Sequence, residues 1–103
     1  NPNGIRSQVE GSILWGLSNA LYEKMSARDG KLEPNNFDKY KWQTIEGLPK
    51  LRIEIVENGP YPSGVGEPAT SVVPPAIANA IYNAVGVRLR SLPISKNEIL
   101  KQI

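Results

Sequence analysis

Leu51, Ile53 and Ile55 alternate with Arg52, Glu54 and Val56, and this run from Leu51 to Glu57 is the clearest strand in the chain. One strong strand is few for an independent sheet, so the fold must lean on helices or borrow a surface from elsewhere. The helical patterns are plain. From about Gln8 to Lys24, the residues Val9, Ile13, Leu17, Leu21 and then Met25 recur every fourth place, with Leu14 and Ala20 beside them. Val73, Ala76, Ile77, Ala80, Ile81, Ala84 and Val85 form a second amphipathic stripe. Pro74 and Pro75 fit its first turn, where a missing N–H is harmless, and Gly86 sits where a left-handed cap would close it. Ser95 and Glu98 carry the S-x-x-E capping box of a last helix, with Ile94 and Ile99 as its hydrophobic staple. Asn1 to Gly4 reads as a turn-rich lead-in, Asp29-Gly30 as a tight turn, and Arg88 to Leu92 as a short extended piece. The order is α, turn, β, α, β, α. It predicts a mixed α/β or α+β unit of about three helices with a small sheet.

The chain has 103 residues, the size of one domain or of a piece of one. Its opening, NPNGIRSQ, has neither an initiator Met nor a signal-like apolar region and reads as a cut end, so a fragment is expected. There is no Cys and no His. Thiolate and Ser-His nucleophiles, structural zinc and iron–sulfur ligation by this chain are thereby excluded. A net charge of +2, with no basic stripe interleaved with aromatics, argues against nucleic acid. Chemistry must come from carboxylates, hydroxyls, backbone amides or a cofactor held mainly by other residues.

One stretch offers such chemistry: Gly64-Val65-Gly66-Glu67-Pro68-Ala69-Thr70. It matches G-x-G-x-x-A, but a proline-rich loop precedes it where a nucleotide fingerprint needs a strand. The acidic residue wanted about 20 positions on is also missing, since no Asp or Glu lies between Glu67 and Glu98. The glycines instead strip side chains from the approach and permit positive φ, so the backbone can lie against a flat ligand. Pro68 is expected to push Glu67 out of the α region and to aim its carboxylate from a helix start. Helix N–H groups would favour the ionised form and burial the neutral one. The local spacing leaves general base and simple cap or ion pair equally open. Gly11 and Gly16 inside the first helix are similarly open to two readings, a closely packed backbone or room for a ligand.

Two separated motifs carry a resemblance. Gln8-Val9-Glu10-Gly11-Ser12-Ile13, followed by Gly16-Leu17 and Ala20-Leu21-Tyr22-Glu23, resembles the Q-x-E-G-g…G-l…a-L-y-E segment of the xanthine oxidase family of molybdenum hydroxylases. Gly64-Val65-Gly66-Glu67-Pro68, with Ala76-Ile77-Ala78-Asn79-Ala80-Ile81 and Leu92-Pro93, resembles the motif that closes the large subunit of that family. Asn36-Phe37 with Tyr40, and the Pro-rich run before Gly64, look most like the isoquinoline 1-oxidoreductase beta subunit branch, which includes periplasmic or membrane-associated aldehyde dehydrogenases. Many members carry Lys or Ala shortly before the G-V-G-E, whereas Pro62 and Ser63 stand here, which supports that branch.

The resemblance implies a C-terminal piece of a molybdopterin-binding domain, spanning residues 1–103, with Glu67 as the active-site base. Gly64, Val65 and Gly66 would lie against the molybdenum cofactor, and Gln8 would be a polar contact to its pterin. No residue here is a metal ligand. The resemblance admits either the simple pterin or its cytosine dinucleotide form, and iron–sulfur clusters are expected on a separate small subunit. The implied partners are the rest of the large subunit, that small subunit, and an N-heterocycle or aldehyde. The isolated chain is expected to hold no cofactor and to be inactive. The resemblance also turns the reading of Gly11 and Gly16 towards a nearby cofactor or backbone. The alternative is a non-enzymatic α/β module that docks through its apolar helix faces.

Overall fold

The computed structural model describes residues 1–61 and 63–103. Pro62, one of the residues that set the approach to Gly64 apart, lies outside the described residues. The Oδ1 of Asn1 accepts the backbone N–H groups of Asn3 and Gly4 at 3.1 and 3.2 Å, and Pro2 fills the first helical position. Helix α1 (Pro2–Leu21) therefore begins at the segment expected to be a turn-rich lead-in. It also stops short of Lys24. The N–H groups of Tyr22 and Glu23 both converge on the Ser18 carbonyl, at 2.9 and 3.1 Å, and end the regular ladder.

The sheet is a two-stranded antiparallel hairpin of β1 (Ser26–Arg28) and β2 (Lys31–Glu33), with Ser26 opposite Glu33 and Arg28 opposite Lys31. Asp29 and Gly30 have φ of 51° and 73°, both positive as a tight two-residue hairpin turn demands. The run from Leu51 to Glu57 does not form the strand expected of it. Its burial alternates as the pattern requires, with Leu51, Ile53 and Ile55 half-buried and Arg52, Glu54 and Val56 exposed. Among the described residues, however, no neighbouring strand offers it a ladder. Arg88 to Leu92, expected to be extended, is likewise unpaired, and it bends at Ser91 and Leu92.

Helix α2 (Pro68–Val85) starts a full turn before the position expected, because Pro68 itself serves as the first helical residue. Pro74 and Pro75 consequently lie inside the helix, not in its first turn. They supply no N–H to the carbonyls of Thr70 and Ser71, one turn earlier. Gly86 closes α2 in the left-handed region, with φ 74° and ψ 2°, as its sequence predicted. The extended segment beyond it folds back, burying Val87 and Leu89 while Arg88 and Arg90 face outward. The Arg88 guanidinium lies 3.6 Å above the Tyr82 ring and donates to Asn79 Oδ1 at 3.0 Å. Ile94 N–H donates to the Ala20 carbonyl at 2.7 Å, tying this segment to the end of α1.

Helix α3 (Lys96–Leu100) is present with Ser95 at its N-cap, but the capping box is not made. The Glu98 carboxylate is held instead by Ser91, whose Oγ lies 2.9 and 3.1 Å from its two oxygens. Among the described residues, three α-helices and a small sheet thus agree with the fold class expected. The buried apolar set is small: Ala20, Val73, Val87 and Leu89. The stripe Val9, Ile13, Leu17 and Leu21 is only half-buried, and Met25 is exposed. The buried residues of α1 are Ser12, Gly16, Ser18 and Ala20, of which Ser12, Gly16 and Ala20 share one face. The radius of gyration is 16.7 Å, whereas a compact domain of this length has about 13 Å. Large apolar side chains such as Phe37 and Ile45 are left 82% and 71% exposed.

Candidate functional site

Small and polar residues join α1 to α2. Gln8, Ser12 and Gly16 are spaced four apart and so share one face of α1. Opposite them stand Gly66, Thr70 and Val73. At the first level a Cβ built on Gly66 would lie 3.4 Å from the Oε1 of Gln8, an ordinary contact. At the second level Thr70 Oγ1 donates to the Ser12 carbonyl at 3.1 Å, and the two hydroxyls are 2.9 Å apart. Thr70 has one hydroxyl proton, already committed, so Ser12 Oγ is the donor between the pair. At the third level a Cβ on Gly16 would fall 2.7 Å from Val73 Cβ and 2.8 Å from the Thr70 carbonyl oxygen. The glycine is required there by backbone proximity.

Gly16 thus resolves to packing, while an added methyl on Gly11 would have nothing within 4 Å and would face open space. Gly64 is equally open. Neither Gly64 nor Gly66 adopts positive φ, so the conformational freedom expected of them is not used. What they contribute is bareness. Val65 between them is half-buried.

Glu67 occupies the N-cap of α2 with φ −117° and ψ −18°. Pro68 therefore does not drive it out of the α region as expected; the close of the loop onto the first turn of α2 outweighs the pre-proline bias. Its carboxylate makes no capping hydrogen bond. The ion pair among the described residues is Arg52–Glu54, at 2.6 Å, so the cap-or-ion-pair reading of Glu67 finds no partner group. The side chain is exposed. Glu67 lines an open pocket of about 300 Å³ with Trp15, Asn19, Thr70 and Ser71. Gln8 is exposed beside Gly66. The chain therefore brings Gln8, Gly66 and the base of Glu67 to one end of the α1–α2 pair.

Sequence reasoning missed Thr70, Trp15 and Asn19, and passed over Ser12 as part of a motif. The usable signal was spacing: Ser12 is one turn from Gln8, and Thr70 is one turn from Glu67. A second polar network braces the far end of α1. Tyr40 Oη donates to Glu23 Oε2 at 2.7 Å, and Gln43 N–H donates to Ser18 Oγ at 3.0 Å. The hydrogen bond to Glu23 holds the Tyr40 phenol above its usual pKa, with some burial and the carboxylate charge acting in the same direction.

Residues 1–49 match the family described as the molybdopterin cofactor-binding domain. Over 98% of its length the chain is 43% identical to the membrane-bound aldehyde dehydrogenase (pyrroloquinoline-quinone) of Gluconacetobacter polyoxogenes, covering 13% of that protein. It is 34% identical over its whole length to a probable xanthine dehydrogenase subunit of Bacillus subtilis, covering 14% of it. It is 36% identical over 90% of its length to the isoquinoline 1-oxidoreductase subunit beta of Brevundimonas diminuta, covering 12% of it. The resemblance to molybdenum-binding subunits of the xanthine dehydrogenase family therefore holds along nearly the whole chain. Within that family, its relatives include the aldehyde dehydrogenase and isoquinoline 1-oxidoreductase subunits. The chain spans about one seventh or less of the length of these relatives.

Proposed function

We propose that this chain forms part of the active site of a molybdenum hydroxylase large subunit, with Glu67 as general base. The observation that carries the reading is the free carboxylate of Glu67, set at a helix start on the residue next to Gly66, which meets Gln8. Its exposure in this chain is consistent with a group whose surroundings are completed by other parts of the molecule.

The residues present fit a molybdopterin. Gly64 and Gly66 offer bare backbone to a flat ring system, and the Gln8 amide can meet a pterin polar edge with donor and acceptor together. When bound, the cofactor supplies two-electron oxidation of an electron-poor carbon, with oxygen derived from water. Glu67 takes up the proton released in that step, as an ionised carboxylate aimed by the first turn of α2. Gln8, Gly64, Val65 and Gly66 orient the cofactor. The substrate class is an N-heterocycle or an aldehyde, in line with the names of the isoquinoline and aldehyde relatives. One relative's name carries pyrroloquinoline-quinone, but the match of residues 1–49 to a molybdopterin-binding family favours molybdopterin for this segment.

The finer parts of the reading are the cytosine dinucleotide form of the pterin, and electron transfer to iron–sulfur clusters on a separate small subunit. The absence of Cys supports the second, since this chain has no thiolate to hold a cluster. The exposed apolar side chains then serve as the surface on which the rest of the large subunit packs, and the isolated chain is inactive. The test is Glu67→Gln in the molybdenum-loaded enzyme that contains this segment. Turnover should vanish while molybdenum content stays near wild type. Wild-type turnover in that variant refutes the assignment.

A further inference from the structure

We infer that Ser12 and Thr70 are positioning residues for Glu67, a role that rests on the reading of Glu67 as the base. Thr70 is the third residue after Glu67, and its N–H donates to the Glu67 carbonyl at 2.9 Å. The same residue's hydroxyl donates to the Ser12 carbonyl and accepts from the Ser12 hydroxyl, at 3.1 and 2.9 Å. The turn that presents the carboxylate is thus fastened to α1 by two directed bonds. Ser12 is 2% exposed and Thr70 is half-buried, so the pair is shielded on its α1 side.

Apolar contact alone would not do this, because it is non-directional and tolerates sliding. A slide of one residue along a helix moves a group by about 1.5 Å. A general base must stay within about 2.6–3.2 Å of the proton it takes. Gly16 adds a steric stop, with the Thr70 carbonyl and Val73 packed where its Cβ would be. One turn in the other direction, Gln8 meets Gly66. The hydroxyl pair therefore sets the register between the Gln8 amide on α1 and the Glu67 carboxylate on α2. Any cofactor held at Gln8 is placed relative to the base through this pair.

The experiment uses the molybdenum-loaded enzyme containing this segment, with Thr70→Val, Thr70→Ser, Ser12→Ala and Glu67→Gln compared. Valine keeps the shape of threonine and removes only the hydroxyl. Molybdenum content, kcat, KM, the pH profile of kcat/KM and hydrogen exchange of amides 66–71 are measured. Thr70→Val should keep its molybdenum, lower kcat by roughly 10–100-fold as misplacement of a base does, and leave KM nearly unchanged. Its acidic limb should shift and exchange at the start of α2 should quicken. Thr70→Ser should restore most of the rate, and Ser12→Ala should match Thr70→Val without adding to it. A Thr70→Val enzyme with wild-type kcat and acidic limb overturns the inference. So does equal loss in Thr70→Val and Thr70→Ser accompanied by loss of molybdenum, which would mark a purely structural contact. Those results count against the pair alone when Glu67→Gln is inactive. Wild-type turnover in Glu67→Gln instead overturns the base reading beneath it.

Discussion

Gly16 and Gly11 share a helix but not an environment, and that difference makes a sharp test of the α1–α2 interface. Replacing either by Ala in a helix interior gains roughly 1 kcal/mol in backbone propensity. At Gly11 that gain should appear undiminished, because the added methyl meets nothing within 4 Å. At Gly16 the methyl would sit 2.7 Å from Val73 Cβ and 2.8 Å from the Thr70 carbonyl. Neither neighbour is the loose end of a long side chain. One is a β-carbon next to the backbone and the other is backbone, so α1 and α2 must part. Overpacking of this kind costs about 1–3 kcal/mol. The propensity gain is common to both variants and cancels in their difference. Gly16→Ala should therefore be less stable than Gly11→Ala by about 1–3 kcal/mol. Urea unfolding followed by far-ultraviolet circular dichroism and by Trp fluorescence measures this, with Trp15 on α1 reporting locally. Equal stability of the two variants would refute the close approach of α2 to Gly16, and the register that depends on it.

Further expectations are separate in place. Gly86→Ala forces a Cβ into the left-handed cap at φ 74° and should cost about 1–2 kcal/mol in unfolding measurements; no loss would contradict that cap. The Tyr40 phenol, raised by its hydrogen bond to Glu23, should ionise above the ordinary tyrosine range in a titration followed by ultraviolet absorbance. Because the folded pKa lies above the unfolded one, the bond's contribution to stability is complete below about pH 10 and fades as pH climbs through the raised value. Glu23→Ala should bring that titration back to the ordinary range, and an unchanged titration would rule out the bond as the cause.

The readable parts of this fold were those set by neighbours in sequence. The Asp29-Gly30 turn, the Gly86 cap and the helical stripe of α2 depend on residues within a turn of one another, and each appears. The misread boundaries were legible too. Asn1-Pro2 and Glu67-Pro68 are cap-then-proline pairs, and both open helices. Pro74 and Pro75 drew the start of α2 too late, since proline is expected in a first turn and not in a second. The site divides in the same way. Glu67 and its glycines were visible as a local pattern, whereas the Ser12–Thr70 pair joins residues 58 apart and leaves no periodic trace. A serine among apolar neighbours on a helix reads as surface until the facing threonine is known.

The Leu51–Glu57 run shows why pattern and structure can disagree without either being wrong. Alternation encodes which side chains turn inward, and Leu51, Ile53 and Ile55 do turn inward. A strand further requires a partner whose N–H and C=O groups meet its own. The run's tie to the rest of the chain is instead a side chain, the Arg6 guanidinium donating to the Ile53 carbonyl. The same division applies to α1, where the apolar stripe is half-exposed while the face of Ser12, Gly16 and Ala20 is packed. In both elements the pattern specifies an apolar face, and the fold leaves part of that face uncovered. The polar face of α1 is the one satisfied within the chain, by Thr70 and the backbone of α2. That asymmetry locates the self-contained part of the structure at the Ser12–Thr70 and Gly16–Val73 contacts, one turn from the exposed Gln8 and Glu67 where the proposed chemistry lies.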